Sequence, residues 1–148
     1  MFRWWFTPPL PVGTPAPDFS VPDQDGSRVT LSALRGKNVI LVFYPADDTS
    51  VCTLQLCEFR DRWAEVQARN AVVFGVNPAR SAAHQKFRDK YKLPFPLLID
   101  EGQKIAKLYQ ADGWFAPRRT VYLISPDGSV RFAWRGRPSP EEVLAAAA

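Results

Sequence analysis

The chain contains few residues that bind metals or form disulfides: two cysteines and one histidine among 148 residues. Two cysteines are too few for a disulfide-stapled scaffold, and in a reducing compartment they serve redox chemistry, catalysis or packing. Cys52 and Cys57 together with the distant His84 lack the spacing and the fourth ligand of a zinc site. We therefore expect no metal site, and we expect His84 to be a solvated residue on a helix.

Long apolar runs and clusters of one charge sign are also absent. No stretch approaches the roughly 18 residues needed to span a bilayer, and the N-terminus lacks the pattern of a signal peptide, so we expect a cytoplasmic protein. The net charge is +4, but the basic residues are scattered, which argues against nucleic-acid binding. The sequence contains neither a phosphate-binding loop nor a dinucleotide fingerprint, and we expect no cofactor.

The composition that is present, with 46% hydrophobic residues, is typical of a single globular domain. Residues 1–17 hold five of the fourteen prolines and resist regular structure, so we predict an extended arm before a domain spanning 18–148. The aromatic cluster at 2–6 either folds back on the domain or docks on a membrane surface or a partner. Folding back is the simpler interpretation.

The periodicity of the domain predicts strands alternating with helices. The continuous apolar run at 39–44, stopped by Pro45, is typical of a strand buried on both faces. Apolar residues at intervals of three and four predict a helix over 50–68. We also predict a hairpin over 18–31, a helical turn over 32–36, strands over 71–76, 97–99, 120–124 and 130–134, and helices over 81–91, 103–109 and 141–147, the last capped by Ser139.

Cys52 lies in the first turn of the helix predicted over 50–68. Unpaired backbone N–H groups and the helix dipole favour a thiolate there, as a nucleophile requires. Cys57 follows in the same helix at a Cα separation of roughly 8 Å, beyond the limit of about 7 Å for a disulfide. A bond between them needs local unwinding. The spacing alone leaves a redox pair and two small core residues equally open.

Three segments carry a more specific pattern, at 13–19, 31–37 and 43–61. The last contains proline, three residues, threonine, two residues and cysteine, followed by a second cysteine five positions later. From about residue 13 to its end, the chain resembles a peroxiredoxin of the bacterioferritin comigratory protein, or Q, type. The resemblance also implies an arginine at the start of a late strand, which is Arg119, with Arg118 as an adjacent alternative.

The resemblance implies a thioredoxin fold, an α/β domain whose central mixed sheet is flanked by helices, with an N-terminal β-hairpin extension. It implies an antioxidant thiol-dependent peroxidase that reduces hydrogen peroxide and small alkyl hydroperoxides. The expected reductant is a thioredoxin-like dithiol, the reaction needs no cofactor, and monomer and homodimer are both open.

The resemblance also assigns roles to individual residues. Cys52 becomes the peroxidatic cysteine and Cys57 the resolving one, joined after oxidation in an intramolecular redox-active disulfide. Arg119, which stays protonated, would hold the sulfur as thiolate. Thr49 would orient a peroxide oxygen. Pro45 would shield the sulfur from water.

The chain departs from the family pattern at a few positions. Ser50 and Val51 replace the usual proline and glycine, and Val51 would be strained if its φ angle were positive. Gln55 stands where relatives often have glutamate. Trp114 and Phe115 are expected either to pack or to line the mouth of the pocket.

Two other functions were considered. A thioredoxin-like disulfide oxidoreductase needs a Cys-x-x-Cys pair, which this chain lacks. A redox-dead binding module that uses the aromatic arm is disfavoured because Thr49, Cys52 and Arg119 occur together.

Overall fold

The computed structural model of the protein describes residues 7–148, so the aromatic cluster at 2–6 lies outside the described residues. The strands are β1 (Ser20–Pro22), β2 (Arg28–Thr30), β3 (Asn38–Phe43), β4 (Ala71–Asn77), β5 (Leu97–Ile99), β6 (Thr120–Ile124) and β7 (Val130–Arg135). The α-helices are α1 (Ser50–Asp61), α2 (Trp63–Ala68), α3 (Ser81–Tyr91), α4 (Lys104–Leu108) and α5 (Pro140–Ala145). Single 3₁₀ turns occupy Leu31–Leu34 and Glu101–Gln103.

A five-stranded mixed sheet organises the fold, in the order β5-β4-β3-β6-β7. The apolar run of β3 forms the central strand, parallel to β4 and antiparallel to β6. Strands β1 and β2 form a separate antiparallel hairpin. These elements confirm the predicted thioredoxin fold, a mixed sheet flanked by helices with an added N-terminal hairpin.

The sheet separates two hydrophobic cores because successive side chains of a strand point to opposite faces. Alternate residues of β3 pack in different cores: Val39, Leu41 and Phe43 in one, and Ile40, Val42 and Tyr44, the last just beyond the strand, in the other. Helix α1 packs in the second core through Cys52, Leu56 and Phe59. Cys52, the predicted nucleophile, is therefore held against the centre of the sheet.

Two predicted helices differ from the structure. The helix predicted over 50–68 is divided into α1 and α2, because Arg62 has non-helical angles of φ −106° and ψ 23°. The helix predicted over 103–109 corresponds to α4, which is shorter and begins at Lys104 because Gln103, the last residue of the preceding 3₁₀ turn, takes a left-handed φ of 56°. The predicted cap of α5 is confirmed: the Ser139 hydroxyl accepts from the Glu142 N–H, and the Glu142 carboxylate accepts from the Ser139 N–H.

The described part of the arm lies along the β6–β7 hairpin. Gly13 N–H donates to the Val130 carbonyl at 2.7 Å, and Ala16 N–H donates to the Gly128 carbonyl at 2.9 Å. Gly13 has a φ of 97°, which a residue with a side chain adopts only with strain. Between residues 7 and 148, no helix is long and apolar enough to cross a membrane.

Candidate active site

The loop after β3 sets the position of α1. Thr49 is the N-cap residue of α1, in extended conformation at φ −104° and ψ 155°. Its hydroxyl donates to the Ala46 carbonyl at 3.0 Å, within the loop, and makes no capping bond to the helix. Cys52 follows as the third residue of α1. The thiol therefore lies in the first turn, where the helix dipole favours negative charge.

Arg119 contacts the sulfur of Cys52 directly. Its Nη2 donates to Sγ at 3.2 Å, and Cys52 is only 1% exposed. The register of the sheet brings the two together, because Phe43 at the end of β3 pairs with Thr120 at the start of β6. A guanidinium that cannot lose its proton at this distance stabilises negative charge on the sulfur.

The neighbouring Arg118 has other partners. Its Nε donates to the Asp112 carbonyl at 2.9 Å, and its Nη2 donates to the Gln110 carbonyl at 3.0 Å. Of the two arginines proposed from the sequence, Arg119 is therefore the one on Cys52.

Gln55 holds the other arm of the Arg119 guanidinium. This fully buried amide accepts from Arg119 Nη1 at 2.8 Å through its Oε1. Its Nε2 is buried and has no hydrogen-bond partner within residues 7–148. Because the amide is neutral, it orients Arg119 without compensating its charge, so the full positive charge acts on Cys52.

The substitutions at Ser50 and Val51 cause no backbone strain. Both residues lie in α1, and neither is among the residues with positive φ. The left-handed residue of this loop is instead Asp48, with a φ of 56°. Aspartate tolerates that conformation better than a β-branched residue would.

Cys57 lies one and a half turns further along α1 and is partly buried. Burial raises the pKa of its thiol above the ordinary value. Both cysteines are free, and α1 is continuous from Ser50 to Asp61. The structure therefore represents the reduced arrangement, in which the helix keeps the two thiols apart.

The expectation that His84 is solvated was wrong. His84 is fully buried on α3, with Nδ1 2.6 Å from the Asp47 Oδ2 and Nε2 2.9 Å from the Leu98 carbonyl oxygen. Sequence reasoning also missed Asp47, which lies in the loop before α1. The available signal was helical spacing, since His84 stands three residues before the buried Phe87 and so lies on the apolar face of α3.

Trp114 and Phe115 lie on the surface between α4 and β6, and are 63% and 96% exposed. The expectation that Phe115 packs against the protein is therefore wrong, and a place for the two side chains at the pocket mouth stays a prediction. Over residues 7–148, no three His, Cys, Asp or Glu side chains are grouped as a metal site would require.

Comparison with known proteins relates the chain to one family. The family model described as "AhpC/TSA family" matches residues 12–133. "Peroxiredoxin Q, chloroplastic" of Oryza sativa subsp. japonica is 41% identical over 133 residues, covering 88% of this chain and 61% of the rice protein. "Putative peroxiredoxin bcp" of Coxiella burnetii is 37% identical over 133 residues, covering 84% of this chain and 88% of that protein.

A solved structure gives the same relationship. The crystal structure of peroxidoxin BcpB from Mycobacterium tuberculosis matches with a TM-score of 0.86 at 29% identity, covering 91% of this chain and 94% of that one. The present chain spans about three fifths of the length of the rice relative.

Proposed function

Because this chain belongs to the AhpC/TSA family, in which its relatives are peroxiredoxins of the Q or bcp type, we propose that it is a thiol-dependent peroxidase with Cys52 as its nucleophile. The observation that carries this proposal is the contact of 3.2 Å between Arg119 Nη2 and the buried Sγ of Cys52. A permanent cation beside a cysteine in the first turn of a helix is the environment of a reactive thiolate.

The first step is attack of the Cys52 thiolate on one oxygen of a hydroperoxide. An S–O bond forms and the O–O bond breaks, and its electron pair leaves on the distal oxygen, which takes a proton and departs as water or an alcohol. Arg119 stabilises the negative charge as it moves from sulfur to oxygen. The Thr49 hydroxyl donates to Ala46 and keeps lone pairs that can accept from the peroxide O–H.

The substrates that we propose are hydrogen peroxide and small alkyl hydroperoxides. Pro45 adjoins the buried end of β3 and is itself only partly exposed, so its ring has a place from which to shield the sulfur from water. Cys52 is only 1% exposed, which favours small hydroperoxides over bulky ones.

The second step joins Cys57 to Cys52. The Cys57 thiolate attacks the sulfenic sulfur, an S–S bond forms, and the hydroxyl leaves as water. Both cysteines belong to α1, so the first turns of that helix open before the sulfurs meet. An external dithiol, of the thioredoxin type, then reduces the disulfide by exchange.

The test is the intact mass of the reduced protein seconds after mixing with equimolar hydrogen peroxide. We expect wild type to lose two hydrogens as the disulfide forms, Cys57→Ser to gain one oxygen, and Cys52→Ser to remain unchanged. Equal loss of the first turnover in both variants would contradict the assigned roles. Absence of any reaction in wild type would contradict the peroxidase function itself.

A further inference from the structure

A buried polar cluster lies next to the loop that precedes α1, and we call it the Asp47 network. Its members are the side chains of Tyr44, Asp47, Asn77 and His84 and the carbonyl of Leu98. Asp47 Oδ1 accepts from the Tyr44 hydroxyl at 2.5 Å and from Asn77 Nδ2 at 3.1 Å, while Oδ2 contacts His84. The cluster thus ties the loop to the ends of β3 and β4, to α3 and to β5.

The Asp47 network lies in the interior of the protein and not at its surface. His84 and Asn77 are almost completely buried, and the side chain of Asp47 is 9% exposed. A carboxylate removed from water is costly unless its lone pairs are satisfied, and here three donors surround it. The loop residue Asp47 is therefore bound firmly to elements that belong to the rigid sheet and its flanking helix.

Both ring nitrogens of His84 are engaged. Nε2 lies 2.9 Å from the Leu98 carbonyl oxygen, and Nδ1 lies 2.6 Å from the Asp47 Oδ2. The imidazole is therefore fixed between β5 and the loop that precedes α1.

Tyr44 connects the network to the reactive thiol. Burial raises the pKa of its hydroxyl well above the ordinary value, and the negative charges of Asp47 and Cys52 raise it further. Tyr44 therefore remains a donor to Asp47. It also packs in the same hydrophobic core as Cys52.

We propose that Asp47 and His84 are positioning residues for the peroxide reaction, whose buried hydrogen bonds hold the loop carrying Pro45 and Thr49 in its reactive conformation. The proposal rests on the peroxidase function of Cys52. Because the anchor is attached to the sheet and α3, it holds the loop even when the first turns of α1 open. The loop with Pro45 and Thr49 can therefore keep its conformation while α1 opens.

The same loop has a second attachment that provides a matched control. The neighbouring Asp48 accepts from Lys90 Nζ at 3.0 Å and from the Tyr91 hydroxyl at 2.9 Å, and all these contacts are at the surface. Exposed ion pairs contribute little to stability or geometry. Lys90→Ala therefore removes a charge partner from the same loop and leaves the Asp47 network intact.

The experiment compares two reactions of Cys52 in a Cys57→Ser background, which removes the resolving step. One is the second-order rate constant for hydrogen peroxide, from rapid quenching and intact mass. The other is the alkylation rate with iodoacetamide, which needs the same thiolate and access to it but no orientation of a peroxide by Thr49. Thermal unfolding of each variant checks the fold.

We expect Asp47→Ala and His84→Leu to lose about tenfold or more in the peroxide rate, since a displacement of about 1 Å costs up to ~10²-fold. Their alkylation rates should stay within about threefold of the parent, as should both rates of Lys90→Ala. Asp47→Asn should rescue the peroxide rate lost in Asp47→Ala. Its Oδ1 still accepts from Tyr44 and Asn77, and its amide N–H can donate to His84 Nδ1.

The comparison of the two rates separates positioning from a purely structural role. A structural defect that disturbs Cys52 itself would lower the peroxide rate and the alkylation rate together, whereas loss of positioning lowers the peroxide rate alone.

Three outcomes would overturn the proposal. They are a peroxide rate unchanged in Asp47→Ala and His84→Leu, an equal fall of both rates in these variants, and a peroxide rate in Asp47→Asn that is as low as in Asp47→Ala. If His84→Leu does not fold, Asp47→Ala and Asp47→Asn decide the matter alone. A parent that does not react with peroxide at all refutes the peroxidase function instead.

Discussion

The charge of Arg119 is the feature of the site whose contribution is most directly measurable. Arg119→Met keeps an unbranched side chain of similar reach and removes both the cation and its donors. We expect the second-order rate constant for oxidation of Cys52 by hydrogen peroxide to fall about 10²-fold. The reason is that the negative charge on sulfur, and then on the departing oxygen, loses its only contact of this kind within residues 7–148.

The magnitude follows from the distance. Two unit charges 3.2 Å apart attract by about 5 kcal/mol at an effective dielectric constant of about 20. Arg119 is partly exposed, and water that enters the variant replaces part of this interaction. A net loss of about 3 kcal/mol remains, which corresponds to roughly a hundredfold in rate.

The assay is the rapid-quench mass measurement in the Cys57→Ser background, with thermal unfolding as the check on folding. The matched control is Arg118→Met, at the adjacent arginine, whose guanidinium donates to the backbone carbonyls of Asp112 and Gln110. We expect its peroxide rate to remain within about threefold of the parent. An Arg119→Met rate close to the parent, or an equal loss in both variants, would refute the reasoning.

Two further predictions concern α1. Because burial raises the pKa of Cys57, less thiolate is present at a given pH while the helix is folded. In Cys52→Ser, alkylation of Cys57 by iodoacetamide at pH 8 should therefore be slower than in the same protein unfolded by urea, and should accelerate as pH rises; equal rates in the two states would contradict this. Val51→Ala, at an exposed position of the first turn, replaces a β-branched residue by the best helix former and should stabilise α1 by about 0.5 kcal/mol. Disulfide formation after oxidation should then slow about twofold, while the rate of sulfenic acid formation should stay unchanged. Stopped-flow and mass measurements follow both steps. A faster resolving step would contradict the idea that α1 opens.

The sequence was sufficient for the features that depend on neighbouring residues. The apolar run at 39–44 predicted the central strand, and the apolar spacing after the polar residues 46–50 predicted a loop followed by a helix with Cys52 in its first turn. Strand burial, helix periodicity and capping are local properties, so a single chain segment carries enough information to predict them. The break at Arg62 was missed because nothing in the local apolar spacing interrupts the helix there.

The tertiary structure decided which distant residues meet. The sequence left Arg118 and Arg119 as alternatives, and the pairing of Phe43 with Thr120 placed Arg119 on the sulfur. His84 was predicted to be solvated, whereas the packing of α3 on the sheet buries it against Asp47. Contacts between residues far apart in the chain depend on strand register and on the face that each helix buries, and a shift of one residue in register would turn the opposite side chains toward the core. Local spacing therefore determined that Cys52 lies in the first turn of a helix, and the register of the sheet determined which arginine contacts its sulfur.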